Sequence, residues 1–348
     1  MTMKNSKAYH RRQIFILILL IILLSQICAT AINADQSDKE YYIPGESLNS
    51  ALFNLKVLKT LKGDELTPYG WKAYYKYESE SKKLSKIDKR KYLNNKDASP
   101  DRQWAVECIE TKIDDNHMDV KYLLYPVNNP ANVMNLGNNH RHAWSPQGDR
   151  ISYLVCKPNC PTYEDCPYQY TCDAWIYNMK ENAKKRLNVN AYDVSWPSFD
   201  KNIYFNLAQE WDDPKIIRYN PNSGKYEETP FQGLIFSPGG KYYLKDHYST
   251  EPYYIYQREP HKELIEIEKQ LDNQNGVHRY GSAIWLADGH SLLINYRFVY
   301  DLDKMEFTKT MKEGAFLGLN SARTHALFMT GVDQFKVVDL LAPSPASK

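Results

Sequence analysis

The chain has almost no net charge: 44 Lys and Arg stand against 42 Asp and Glu in 348 residues, a formal +2. A dedicated nucleic-acid binder carries a basic surplus, so no nucleic-acid partner is expected. After the first thirty-odd residues no apolar run reaches the ~20 residues a membrane helix needs, so no membrane span is expected in the mature chain. Three catalytic signatures are missing as well. There is no Gly-x-Ser-x-Gly nucleophile elbow, no His-Glu-x-x-His zinc-peptidase motif and no Gly-x-x-x-x-Gly-Lys phosphate loop. No Asn-x-Ser/Thr sequon follows residue 34, which favours a bacterial source. What is abundant is Tyr, at 28 residues against 7 Trp and 11 Phe. Tyr suits half-buried strands, so the composition leans towards β structure.

Residues 1–34 read as a secretory signal peptide. Lys4, Lys7, Arg11 and Arg12 form a basic start, Ile14 to Leu24 are apolar without a break, and small residues at Ala31 and Ala34 offer cleavage positions. An uncleaved N-terminal membrane anchor is the alternative; Ser25 and Gln26 interrupt the run too early for a span. A lipid anchor on Cys28 is not expected, because the bulky Ile27 precedes it. Removal of this segment turns the formal charge from +2 to −2 and leaves a chain destined for the periplasm or the medium.

Four of the remaining cysteines cluster as Cys156, Cys160, Cys166 and Cys172. The five-residue spacings in their second half do not suit a structural zinc site, and an oxidising compartment favours two disulfides. Ile151–Cys156 and Cys172–Tyr177 read as neighbouring strands. That arrangement favours Cys156 with Cys172 at the mouth and Cys160 with Cys166 at the tip, although the other pairings stay open. Cys108 reads as a small buried hydrophobe.

A repeat organises the rest. An aromatic residue, Ser-Pro, a polar residue with Gly and a short strand recur, most fully as Trp144-Ser-Pro-Gln-Gly-Asp-Arg-Ile-Ser-Tyr153 and Phe236-Ser-Pro-Gly-Gly-Lys-Tyr-Tyr243. A further copy is anchored at Trp285 and weaker ones at Ala98, Trp196 and Leu317, so successive copies lie 32 to 52 residues apart. Pro presets φ for one turn position and Gly supplies positive φ at the next, so each copy is a hairpin turn. A second hairpin follows each turn, with strands such as Lys121–Tyr125, Asp173–Tyr177, Lys215–Tyr219, Tyr253–Tyr256, Phe298–Tyr300 and Phe335–Val338. Four strands per ~44 residues is the unit of a β-propeller blade.

The expected fold is therefore all-β, a single propeller of four-stranded blades. Six blades are favoured, with the upstream hairpin at Trp71–Leu84 lending a strand to the last blade; seven are the alternative. The domain reading is a signal at 1–34, an N-terminal segment at 35–68, a propeller at 69–340 and a disordered tail at 341–348. Within the second segment, apolar residues at 48, 51, 52, 55, 58 and 61 predict a short helix, with Ser47 as N-cap.

The Trp144 and Phe236 copies resemble the WD40-like repeat of TolB-type β-propellers, over about residues 69–340. The resemblance implies an exported interaction module without cofactor. It covers the propeller alone, because only about 35 residues separate the signal from the first hairpin, too few for the extra α/β domain of TolB.

Candidate chemistry is sparse. His140 and His142 lie in Asn138-Asn-His-Arg-His142, where alternation would present two imidazoles on one side of a strand. Some propeller lyases hold a metal with histidines, and His247, His278 or His290 would have to complete such a site; a hydrogen-bonded loop is the plainer reading. No metal is assigned. The acids around Asp301 and Asp114–Asp119 lack calcium-loop spacing and read as turns. The seven Lys and Arg residues of Lys82–Lys96 read as a solvated hairpin and loop. The preferred contact surface is the tip of the cysteine loop, with Tyr163, Glu164, Asp165, Tyr168 and Tyr170. The function expected from all this is a non-catalytic protein- or glycan-binding module of the cell envelope or extracellular space. A carbohydrate-active, lyase-like propeller using the histidines is the alternative.

Overall fold

The computed structural model describes residues 39–55, 72–112, 118–137, 139–155, 172–207, 215–245, 254–266, 282–311 and 314–341. They form seven antiparallel sheets, the blades of a β-propeller. Blade 1 holds β1 (Glu40–Pro44), β2 (Tyr74–Glu78) and β3 (Lys83–Ile87), and blade 2 holds β4 (Trp104–Lys112), β5 (Met118–Pro126) and β6 (Met134–Asn135). Blade 3 comprises β7 (Asn139–Trp144), β8 (Arg150–Val155), β9 (Cys172–Asn178) and β10 (Ala183–Ala191). Blade 4 comprises β11 (Asp193–Ser195), β12 (Ile203–Asn206), β13 (Ile216–Tyr219) and β14 (Tyr226–Glu228). Blade 5 comprises β15 (Ile235–Phe236), β16 (Tyr242–Leu244), β17 (Tyr254–Gln257) and β18 (Lys262–Glu266). Blade 6 comprises β19 (Ala283–Trp285), β20 (Ser291–Ile294), β21 (Phe298–Asp301) and β22 (Glu306–Thr310), and blade 7 β23 (Ala315–Leu319), β24 (His325–Gly331) and β25 (Gln334–Asp339). Two α-helices, α1 (Gly45–Asn54) and α2 (Lys89–Lys96), and a 3-10 turn at Pro238–Gly240 complete the described elements.

The middle strands are apolar on both faces, and period-two alternation sends successive residues into different interfaces. In β20, Leu292 and Ile294 pack with Tyr242 and Trp285 towards blade 5, while Leu293 packs with Ala326 and Phe328 towards blade 7. β12 divides likewise: Ile203 and Phe205 face blade 3, and Tyr204 faces blade 5. Six such clusters join blades 2 to 3, 3 to 4, 4 to 5, 5 to 6, 6 to 7 and 7 to 1.

The repeat's turns share one hydrogen-bond scheme. The N–H groups of Ser99, Ser145, Ser237, Leu286 and Asn320 each donate to the carbonyl five residues on, and their own carbonyls accept from residues 102, 148, 240, 289 and 323. Those five residues all have positive φ, supplied by Arg102, Gly148, Gly240, Gly289 and Arg323. The Ser side chain closes the turn: Ser99, Ser145 and Ser237 are buried, and each Oγ accepts the N–H of the residue five positions on. Asn320 Oδ1 does the same for His325, which anchors the last copy at residue 319 rather than 317. The outer hairpins carry a second signature. Tyr77, Tyr125, Tyr177, Tyr219, Tyr256 and Tyr300 are all buried near the end of the blade strand that precedes them.

Several expectations change. Seven blades form rather than the favoured six. The hairpin at β2–β3 does not complete blade 7: it pairs with β1, from the segment read as preceding the propeller. The β2–β3 turn has Lys82 at positive φ five residues after Tyr77, as Asn182 follows Tyr177 and Met305 follows Tyr300 in outer hairpins. β1–β3 thus correspond to the second, third and fourth strands of a blade. Ring closure comes instead from packing, as Tyr41 and Ile43 of β1 with Leu48, Ala51 and Leu52 of α1 meet Leu317, Leu327 and Met329 of blade 7. The helix begins at Gly45, with Ser47 inside it rather than capping it. Part of Lys82–Lys96, read as loop, is α2. Cys108 is half-buried rather than a core residue. The signal segment and residues 342–348 lie outside the described residues.

Candidate functional site

Between blades 1 and 2 the pattern of blade-to-blade cores is replaced by α2. Asp88 caps this helix, its Oδ1 accepting the Lys91 N–H at 2.8 Å, and the Asp97 N–H closes the far end on the Leu93 carbonyl at 2.8 Å. The helix leads directly into Ala98, whose single antiparallel bridge to Ala105 is all that remains of an innermost strand in blade 2. Leu93 is buried, and the Tyr92 ring lies 4.6 Å from that of Tyr74 in blade 1, with its hydroxyl pushed up to about 12 by burial. Blade 2 holds the other side. Lys89 Nζ reaches the Cys108 carbonyl at 3.2 Å and Glu107 at 2.9 Å, Arg90 stacks over Tyr125 at 5.3 Å, and the Tyr125 hydroxyl donates to Asn94 at 3.0 Å.

A single short helix cannot fill a blade-wide gap, and a cleft of about 1260 Å³ remains, walled by blades 1 and 2 and reaching β7 of blade 3. Its charged lining comprises Lys72, Lys86, Lys89 and Arg141 with Glu46, Asp88 and Asp97. Much of this charge is committed: Asp88 to the helix cap, Lys89 to Glu107, and Arg141 to Asp193 at 3.8 Å. Lys72 and Lys86 are exposed and enter no ion pair among the described residues. Burial raises the Asp97 carboxyl above the usual range and lowers the neighbouring Lys96 amine, the latter helped by the Arg323 charge.

His142 lines this cleft. Its ring makes edge contacts with Tyr122 at 6.2 Å and Trp144 at 6.4 Å, and burial pushes it down to about 4. It is therefore a neutral imidazole at ordinary pH, able to accept one hydrogen bond and donate another. The Cys108 thiol lines the same wall, with Tyr122 opposite it in the β4–β5 register. The strand register shifts between Asn139 and His142, so the regular alternation assumed for His140 and His142 is interrupted by a bulge. The His140 side chain lies outside the described residues, as do His247 and His278. His290 belongs to blade 6, where it lies 3.4 Å from Asp288 and 3.9 Å from Asp303, far around the ring from His142. Among the described residues, no three His, Cys, Asp or Glu side chains gather closely enough to hold a metal ion.

The cysteine loop, with Tyr163, Glu164, Asp165, Tyr168, Tyr170, Cys156, Cys160 and Cys166, lies outside the described residues. Its flanks pair as expected: β8 and β9 are antiparallel, with Val155 opposite Asp173, and Cys172 is buried. Sequence reasoning missed the cleft residues Lys72, Lys86, Lys89 and Arg141. The available signal was Asp88 before a basic octet with one apolar face residue, Leu93, a helix start followed by a short amphipathic turn.

No protein-family model and no curated protein sequence matches the chain. Solved structures with similar backbones include the following. One is described as oligogalacturonate lyase in complex with manganese: 8% identity, TM-score 0.47, covering 77% of this chain and 82% of that one. Another is the β-propeller domain of the Trilobed protease from Pyrococcus furiosus: 12% identity, TM-score 0.38, 69% of this chain and 96% of that one. A third is a putative TolB from Agrobacterium tumefaciens: 14% identity, TM-score 0.33, 68% of this chain and 73% of that one. At these values the likeness is one of fold.

Proposed function

We propose that the protein is an exported, TolB-like propeller that binds a protein segment or glycan through the cleft between blades 1 and 2, without covalent chemistry. The observation that carries this reading is the cleft itself, an open volume of about 1260 Å³ rimmed by two lysines that no carboxylate neutralises among the described residues. Uncommitted cations at the rim favour acidic groups on the ligand. Export is supported by the basic and apolar start with Ala31 and Ala34, and a Cys156–Cys172 disulfide by the β8–β9 register one step short of Cys172. Calorimetric titration of the purified protein with acidic and neutral oligosaccharides, and with acidic peptides of matched length, tests the reading. The acidic ligands should bind, and the Lys72→Glu, Lys86→Glu double variant should weaken them at least ~10-fold. Equal binding by the variant, or no binding by any ligand, would refute it. N-terminal sequencing and thiol counting of exported protein check the processing and the disulfides.

A second reading, a carbohydrate-active enzyme, is favoured by one observation: neutral His142 lines the same cleft. Time-dependent formation of unsaturated product from an acidic oligosaccharide, lost in His142→Ala, would establish it over the binding module.

A further inference from the structure

On the turn side of blades 4 to 7 lies a second cavity, of about 680 Å³, which shares no lining residue with the cleft of blades 1 and 2. Phe199, Ile235, Phe236, Ile284 and Trp285 contribute most of its apolar wall, and Ile235 remains 39% exposed although it sits on the innermost strand of its blade. Arg323, which is exposed, is the one charged residue lining it among the described residues, and Ser195, Ser198, Ser237 and Ser321 complete the polar part of the lining. No Asp or Glu lines the cavity among the described residues, and the Arg323 guanidinium enters no ion pair there.

The wall is preformed. A Cβ on Gly240 would lie 2.5 Å from the Phe199 ring, so the bare glycine lets the blade 5 turn press against blade 4. Gly289 seats the blade 6 turn on the Pro238 carbonyl in the same way, where a Cβ would come within 2.4 Å. The Trp285 Nε1–H donates to the Ile235 carbonyl at 3.1 Å, and the Ala287 N–H donates to the Arg323 carbonyl at 3.4 Å. Arg258 lies over Phe199 at 4.7 Å, bracing it from outside the lining. Four blades thus fix the cup, and little ordering cost remains for a ligand to meet.

We propose that this cup binds a carboxylate carried on a small apolar body. The carboxylate lies on the Arg323 guanidinium and the apolar part lies against Ile235, Ile284 and Phe236. A planar guanidinium presents paired donors matched to a carboxylate, and it is weakly hydrated, so it tolerates an apolar surround when an anion completes it. A neutral ligand would leave the exposed guanidinium to solvent and gain nothing from it. A cationic ligand would be repelled, and the positive field extends beyond Arg323 itself, since its charge reaches Lys96 at the end of α2. The C-terminal carboxylate of a chain ending in an aliphatic residue and a short free fatty acid share this chemistry.

The test uses the full chain and reads the fluorescence of Trp285 together with calorimetry. The probes are acetyl-Ala-Leu acid, its C-terminal amide, hexanoate and hexanamide. Each acid that binds should do so at least ~10-fold more tightly than its amide, with a dissociation constant below about 1 mM. Preference for the peptide acid assigns the cup to chain termini, and preference for hexanoate assigns it to free acids. Arg323→Asn, which keeps a residue tolerant of positive φ, should abolish the acid preference, and Arg323→Lys should retain part of it. The acid-against-amide comparison on the unaltered protein needs no variant to fold. Equal binding of acids and amides, no binding of either acid at that concentration, or an acid preference that survives Arg323→Asn in a protein with unchanged thermal unfolding would overturn the proposal.

Discussion

Blades 5 and 6 and the seam between blades 1 and 2 are built from the same kind of sequence, yet one region is closed and the other open. At blades 5 and 6 the turn glycines Gly240 and Gly289 abut the preceding blade, and Tyr242, Leu244, Trp285, Leu292 and Ile294 share one core. At the seam, blade 1 has no strand in the innermost position among the described residues, and in blade 2 that strand is reduced to the Ala98–Ala105 bridge. A charged helix takes the vacant place. The lesson is that an open cleft lies where the described residues provide no innermost strand: the packing that closes one interface is absent from the other.

The strongest test of this contrast is the same substitution in both regions. Leu292→Ala should cost about 4 kcal/mol, because a fully buried side chain is removed between two sheets, whereas Leu93→Ala on α2 should cost about 2 kcal/mol, because the open cleft lets the site relax. Urea unfolding measures both, and equal losses would mean that the seam is packed like the other interfaces.

The turns allow a sharper version. Gly240→Val combines positive φ with a clash against Phe199 and should cost about 3 kcal/mol. Its neighbour Gly239 also has positive φ but meets nothing within 4 Å, so Gly239→Ala should cost only about 1 kcal/mol. A similar cost for the two would show that blade-to-blade docking contributes little there.

His142 makes the cleft side sensitive to acid. Its folded value is depressed to about 4 from the ordinary 6.5, so the unfolded chain takes up the proton first as pH falls. The stability this imidazole contributes is complete above pH 6.5 and is lost on acidification towards pH 4, by about 2 kcal/mol after allowance for its partial exposure. The difference between the unaltered protein and His142→Phe, followed by thermal unfolding across this window, isolates the effect from the carboxylates. A pH-independent difference would mean that the ring is solvated. Smallest is the cap: Asp88→Ala should cost about 1 kcal/mol and should increase amide exchange in Lys89–Lys96 before any blade is affected.

Much of the architecture was legible because it repeats. Ser-Pro-x-Gly encodes a turn whose Ser oxygen, Pro φ and Gly φ are all local, so Ser145 and Ser237 could be read without knowing their neighbours. The Asn320 copy was misplaced by two residues because Asn there replaces Ser and Arg323 replaces Gly, although the hydrogen bonds are the same. The Tyr surplus had a second, unread regularity, one buried Tyr in the outer hairpin of every blade but the seventh, visible in Tyr125, Tyr177, Tyr219, Tyr256 and Tyr300. The candidate site was less legible. His142 was weighed as a metal ligand against the plainer reading of a hydrogen-bonded loop, and its ring contacts are Tyr122 and Trp144, drawn from two blades. Lys72 carries no motif, and Lys86 and Arg141 fell in stretches read for other features; separate blades bring them to one cleft.

The sequence by itself therefore determined the strand-turn unit, its recurrence and the all-β class, since φ preferences and period-two alternation act over a few residues. Only the tertiary structure decided that there are seven blades and that the ring closes by packing β1 and α1 on blade 7. It also decided which interface stays open and that, among the described residues, Arg323 is the one charge lining the cavity of blades 4 to 7. Those outcomes depend on which faces meet across distant segments, and no local preference carries that information.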